Sequence, residues 1–398
     1  MITSKVSEAI PGTPSVKASA PASAAVTTAT LDNGTKVAAR EGGNGLATVK
    51  IGVAAGAAAE SSAEKGSSHL LGITAFAGTA STSGVALIRA LDDMGAKVAS
   101  SADRSKVCYD VTFPSENTAG VLELLGSAVS SAPPAHVYID AKATAQLAYD
   151  AVAGSANAML GELIFEAAYG EDSAMGNSMY AKTLGAVTPE TVAGFRAAHY
   201  TAGNVSIAGT SVSVADLTAT ASAMGLPAGA SASASSAFVG GEVRFKADYG
   251  NDSNVAIAFP ASNAKIASAL QTHIVGKTSG LPLTAFMSGG LMGFMASGAP
   301  TAVSAAVTAV MTEMKAVAGG ASTADAIAAV GISRALTAES ACATGDLLDS
   351  LLSGEAVTDM SGVTASSVSA ATAAALKTGP AYAVLGSVAG TPTLKSIM

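Results

Sequence analysis

The strongest constraint on this 398-residue chain is that it repeats itself. In the first half Asp32-Asn33-Gly34 suits a tight turn, Lys36 to Glu41 reads as a strand, Gly42 to Gly45 turns, and Val49 to Val53 alternates like a second strand. The second half places Val243 where the first has Val37, Val255 for Val49, Ile257 for Ile51 and Phe259 for Val53, with a turn at Gly250-Asn251-Asp252. This pattern predicts a duplicated β-hairpin. The halves also close alike, because Asn204 to Gly209 and Ala381 to Gly386 each read as a short strand following a helix.

Between hairpin and closing strand, the first half predicts helices near Ser67 to Phe76, Gly84 to Met94 and Glu116 to Ser130. A long helix is expected from about His136 to Tyr169, and another starts at Pro189, where Thr188 supplies the cap. Strands followed by grouped helices, rather than strict alternation, indicate an α+β fold with mostly antiparallel sheets in two homologous domains. The boundaries read from the sequence are an extended arm at 1–30, a first domain at 31–225, a linker at 226–239 and a second domain at 240–398. The arm carries Pro11, Pro14 and Pro21 and no arginine, a poor match to an amphipathic targeting helix, and the linker is Ser- and Ala-rich from Pro227 to Ser236.

Composition narrows the function. Apolar residues make up 49% of the chain, enough for a sizeable core in each domain. Aromatics are only 4%, with no tryptophan, which leaves little for stacking bases or sugars. A net charge of -8 with 21 Lys plus Arg opposes a phosphate backbone, so nucleic acid is excluded as a partner. The two cysteines, Cys108 and Cys342, lie too far apart for a CxxC metal or redox motif and read as small core residues. Thr278 to Thr312 is free of charge, but Pro282, Pro300 and Gly289-Gly290 interrupt it, so it reads as two strands and a helix rather than a membrane span.

The chemistry-bearing segment is Gly66-Ser67-Ser68-His69-Leu70-Leu71-Gly72-Ile73-Thr74-Ala75-Phe76-Ala77-Gly78-Thr79. It resembles the helix of the inverted zinc peptidases, in which H-x-x-E-H sets two imidazoles one turn apart with a carboxylate that deprotonates the metal-bound water. His69 stands at the first ligand position, Gly72 replaces the general base and Ile73 replaces the second ligand. In that family a glutamate on the following long helix is the third ligand, and alignment on Ala168-Tyr169 puts Ala148 there, with only Asp140 and Asp150 as nearby acids. Catalytic zinc needs three protein ligands and a water, so the expectation is no catalytic residue, no metal and no cofactor. Losing a general base alone costs roughly 10²–10⁴ in rate. His69 then reads as a helix-start residue kept by packing, and His136, His199 and His273 stand singly on helical stretches. Gly276-Lys277-Thr278 lacks the glycine a phosphate-binding loop needs at Gln271.

Further stretches extend the resemblance: Thr30 to Gly34, Gly240 to Arg244, Gly289 to Met295 and Gly386 to Thr391 occur in family order. From about Leu31 onward the chain is similar to the mitochondrial processing peptidases of the pitrilysin type, and within them most like the second core subunit of the ubiquinol–cytochrome c reductase, respiratory complex III. The resemblance implies two clasped homologous domains and a homologous partner, the first core subunit, facing them across a cavity. It also implies a peripheral place on the matrix side of the mitochondrial inner membrane, beside the cytochrome b, cytochrome c-bearing and iron–sulfur subunits. The alternative it leaves is a non-catalytic, alpha-like partner of a presequence-processing peptidase. Against that, the long glycine-rich loop of such subunits is reduced to the few residues from Gly276 to Leu281. An enzyme built on unrelated residues is a third reading that no spacing supports.

Overall fold

A computed structural model describes residues 26–42, 45–79, 81–180, 187–229, 236–247, 249, 252–338, 343–353, 360 and 362–398. The first half runs β1 (Val26–Thr30), β2 (Lys36–Arg40), β3 (Leu46–Val53), α1 (Ser67–Ile73), α2 (Gly84–Asp93), β4 (Lys97–Ala102) and β5 (Val107–Pro114). It continues through α3 (Thr118–Ser130), α4 (Ala135–Gly154), α5 (Ala156–Tyr169), α6 (Pro189–His199), β6 (Val205–Thr210) and α7 (Val214–Ala223). The second half opens with β7 (Gly241–Phe245), β8 (Ser253–Pro260), α8 (Ala264–Lys277), β9 (Leu283–Ser288) and β10 (Leu291–Gly298). There follow α9 (Pro300–Ala318), α10 (Ala324–Ala338), α11 (Ala343–Ser353), α12 (Ala365–Thr378), β11 (Ala381–Gly386) and α13 (Leu394–Ile397).

Two sheets result, ordered β1-β2-β6-β3-β5-β4 and β7-β11-β8-β10-β9. This is the expected α+β fold with two homologous domains, since β2, β6, β3, β5 and β4 correspond in order to β7, β11, β8, β10 and β9. The duplication holds, but the hairpin does not. β2 and β3 never pair: β6 enters between them, parallel to β2 with Val37 opposite Ile207 and antiparallel to β3 with Ile51 opposite Ile207. β11 enters between β7 and β8 in the same way. Both closing strands are buried along nearly their whole length, as a central position that pairs both edges and covers both faces requires.

Three other expectations change. Val26–Thr30 forms an edge strand antiparallel to β2 instead of belonging to the arm, and the turn that joins them has Gly34 at φ 96°. The single long helix is two, because Ser155 leaves helical geometry at φ −108°, ψ 114° after Gly154, a weak helix former. Cys108 is half-buried beside α11 rather than in a core interior. Residues 1–25, Gly250, Asn251, Cys342 and residues 230–235 of the linker lie outside the described residues. The segment from Thr278 does form two strands and a helix, and among the described residues no helix is long and apolar enough to cross a membrane.

The sheets explain the alanine. In β8, Val255, Ile257 and Phe259 point into the second domain's own helical core, while Ala256 and Ala258 point the other way, onto α5. Successive residues of a strand alternate faces, so a large-small alternation makes one face thick and lets a helix backbone come close to the other. The helix that comes close belongs to the first half: Leu160, Ile164 and Phe165 of α5 lie on Ala256, Ala258, Ala381 and Ala383. The second half returns the exchange. α11 lays Leu347 and Leu348 on Ala208, next to Gly52, where an added Cβ would stand 3.0 Å from Leu348 Cδ2. Thr210 and Thr344 share a hydroxyl hydrogen bond of 2.8 Å, and Lys106 pairs with Asp349, so the contact has polar edges. Each fully buried leucine or isoleucine in these contacts contributes about 1.5–3 kcal/mol. The two domains therefore hold each other's helices and form one interlocked body.

Candidate functional site

The candidate site is built on α1. Glu60 fixes its start: the carboxylate accepts hydrogen bonds from the Gly66 N–H at 2.8 Å and from the Ser68 N–H and hydroxyl at 2.6 Å each. These are amides that a helix N-terminus leaves without partners, and Gly66 reaches them at φ 97°, in the left-handed region. Burial pushes the Glu60 carboxyl above its ordinary range, against the lowering effect of the Ser68 and Gly66 hydrogen bonds. Sequence reasoning missed Glu60, which precedes the motif and carries no spacing signal.

One turn on, His69 is half-buried and meets the edge of the Tyr180 ring, with centroids 5.0 Å apart and an interplanar angle of 86°. Burial lowers its pKa and favours the neutral imidazole. Gly72 is buried against β4: a Cβ there would lie 3.0 Å from Ala102 Cβ and 3.3 Å from Ala102 N. Its carbonyl accepts from Ser100 Oγ at 2.8 Å. Ile73 packs against the first domain's core. Ala148 sits half-buried on α4, the helix against which α1 packs. The motif positions thus fall on the two expected helices, but only His69 carries a metal-binding atom.

A catalytic zinc does not fit this donor set. Gly72 and Ala148 have no side-chain oxygen, Ile73 has no nitrogen, and the Glu60 carboxylate is committed to the helix start. Among the described residues no three His, Cys, Asp or Glu side chains gather into a group that would hold a metal ion. What occupies the space is packing: a glycine that lets β4 close on α1 and an isoleucine turned into the core. At these positions the family's chemistry would need a carboxylate base and further zinc ligands, and Gly72, Ile73 and Ala148 supply none.

The remaining sequence candidates are scattered. His136 and Asp140 are exposed on α4, and Asp150 accepts a hydrogen bond from Gln146 at 3.0 Å. His199 ends α6 against Phe195, with ring centroids 4.5 Å apart, and His273 on α8 lies 3.8 Å from Glu313. None joins His69. Gly276-Lys277-Thr278 closes α8, so it is a helix end and not a phosphate loop, and Gln271 instead ties α8 to β9 and β10 through Phe286 O and Gly293 O.

The structure adds a buried ion pair beside the site. Arg104, in the turn between β4 and β5, places Nη2 2.9 Å from Glu162 Oε2 on α5, and its guanidinium lies 3.8 Å from the Phe165 ring centroid. Glu162 also accepts from the Met179 N–H at 3.0 Å. Burial pulls the Arg104 guanidinium below its usual range, and the Glu162 carboxylate opposes that shift. Tyr180 connects the two features, since it faces His69 on one side and the Arg104 cavity on the other.

Residues 36–182 match a family model, Insulinase (Peptidase family M16). The match takes in α1, α4, α5 and the turn that carries Arg104, so His69, Gly72, Ile73 and Ala148 all lie inside the matched residues.

Proposed function

Proceeding from a peptidase family M16 domain over residues 36–182, we propose that this chain is a non-catalytic structural subunit of the second-core-subunit type in mitochondrial respiratory complex III. One observation carries the non-catalytic part. At the positions where this family's chemistry needs a base and two further ligands, the chain has Gly72, Ile73 and Ala148, and the space is filled by β4 and the core. Reversal would require more than one substitution, because Gly72 is also the point at which α1 and β4 touch.

The placement in complex III rests on the family resemblance of the stretches around Leu31, Gly241, Gly289 and Gly386 and on the shortened segment after Gly276. In this role the chain supports assembly and stability from the matrix side, peripheral to the inner membrane. It pairs with a homologous first core subunit beside the cytochrome b, cytochrome c-bearing and iron–sulfur subunits. A locked, interleaved pair of domains suits a scaffold, since the exchange of α5 and α11 resists the opening motion that admission of a substrate would need. Peptidase assays on the isolated chain with presequence peptides test the first half of the proposal. Cleavage by the isolated chain without an added partner, whether or not it is lost on dialysis against a chelator, would refute it.

A further inference from the structure

The two sheets differ at one end. In the first, β1 pairs antiparallel with β2 and covers its outer edge; in the second, β7 takes the place of β2 and, among the described residues, no strand lies outside it. One edge of β7 is taken by β11, from Gly241 opposite Ala381 to Phe245 opposite Leu385, so the N–H and C=O groups aimed the other way have no ladder partner among the described residues. An edge of this kind is a template for another strand unless proline, lysine or a covering segment blunts it. β7 carries neither proline nor lysine, and exposed apolar side chains stand just before it and at its end, Val239 at 70% and Phe245 at 48%.

We propose that the outer edge of β7 pairs antiparallel with β7 of a second copy of this chain, centred on Val243, and joins the two five-stranded sheets into one. The sequence of the strand argues for this occupant. Reversed about Val243, Glu242 falls opposite Arg244 of the second copy and Arg244 opposite its Glu242, so the two-fold sets opposite charges across the seam twice. On the other face Phe245 falls opposite Gly241, which has no side chain and leaves room for the ring, a cross-strand match that sheets use to cover edge glycines. The other edge strands offer no such complement: β1 and β9 carry no charge, and β4 carries only Lys97. The charges of β7 are also held in place. Arg244 donates to the carbonyls of Val388 and Pro392, and Glu242 accepts from the Leu394 N–H at 3.0 Å, yet the two side chains remain 27% and 24% exposed. They are positioned and accessible when the second strand arrives. Because the same patch serves both copies, the contact closes at two.

The test is sedimentation of the full purified chain across a concentration series, with two variants. The unmodified chain is expected to dimerise. Glu242→Arg and Arg244→Glu each set like charges across the seam and are expected to weaken self-association by about tenfold or more. An equimolar mixture of the two variants restores opposite charges in both pairs and is expected to recover a heterodimer. A merely structural role for either residue cannot give that recovery, since each chain in the mixture keeps its own defect. Hydrogen exchange on the unmodified chain supplies a readout that needs no variant: β7 amides gain protection as concentration rises through the dimerisation range, while β4 and β9 do not. A chain that stays monomeric at every concentration overturns the proposal, as does a dimer that both variants leave intact or that forms without added protection in β7. Binding of a synthetic Val26–Thr30 peptide, the strand that fills this position in the first domain, to a chain that stays monomeric would assign the edge to a strand from another source and overturn self-pairing.

Discussion

Replacing Gly72 by alanine probes whether α1 and β4 are in contact at the degenerate base position. Gly72 has no positive φ, so an alanine is free to adopt its backbone, and within a helix the change alone is worth about 1 kcal/mol in favour of alanine. The new methyl, however, would stand 3.0 Å from Ala102 Cβ and 3.3 Å from the Ala102 nitrogen, closer than packed carbons tolerate. Overpacking of this kind costs about 1–3 kcal/mol, so the two effects leave a net destabilisation of about 1 kcal/mol. Ala102→Gly removes the facing methyl but not the nitrogen, and by itself weakens a strand by about 0.5–1 kcal/mol. The double variant should therefore be more stable than the sum of the singles, with a coupling of about 1 kcal/mol. The assay is a double-mutant cycle by urea titration followed by near- and far-UV circular dichroism. Additivity within about 0.5 kcal/mol would refute the contact, and with it the claim that the lost base position has been taken over by packing.

Leu348→Ala should destabilise the α11 contact by about 2–5 kcal/mol and raise hydrogen exchange selectively in α11 and the facing β6, as read by mass spectrometry. Glu60 has its folded pKa raised by burial, so its term in stability is fully present below the ordinary carboxylate pKa and is lost as pH rises through the raised folded value. Glu60→Gln should flatten that slope in melting curves taken across the acid range while removing one acceptor from the start of α1. Gly72→Glu with Ile73→His and Ala148→Glu, placed on Ala102→Gly, should acquire zinc in chelator competition where the unmodified chain takes up none beyond surface histidines; no gain would argue against the alignment of Ala148.

The duplication was legible because alternation in Val49 to Val53 and Val255 to Phe259 is local. Which strands are neighbours was not: β6 reaches β2 and β3 from far along the chain, and nothing in Val205–Thr210 names its partners. The break at Ser155 was missed because Gly154 and Ser155 weaken a helix without ending one, and it is the packing of α5 on the other domain that turns the chain there. The exchange itself was hidden in alanines such as Ala256 and Ala383, which look the same in sequence whether they face solvent or a helix. At the site, His69, Gly72 and Ile73 were readable from motif spacing. Arg104, Glu162 and Tyr180 were not, since a buried ion pair between distant residues leaves no periodic trace.

The measurement that bears most directly on the scaffold reading is isolation of the native chain from detergent-solubilised mitochondria, with haem absorbance and partner masses recorded on the same particle. Stoichiometric recovery with a homologous subunit and with cytochrome b and c-type haem is the expected result. Recovery with a single zinc-containing peptidase and no haem would contradict it and identify the chain as the partner subunit of a processing enzyme.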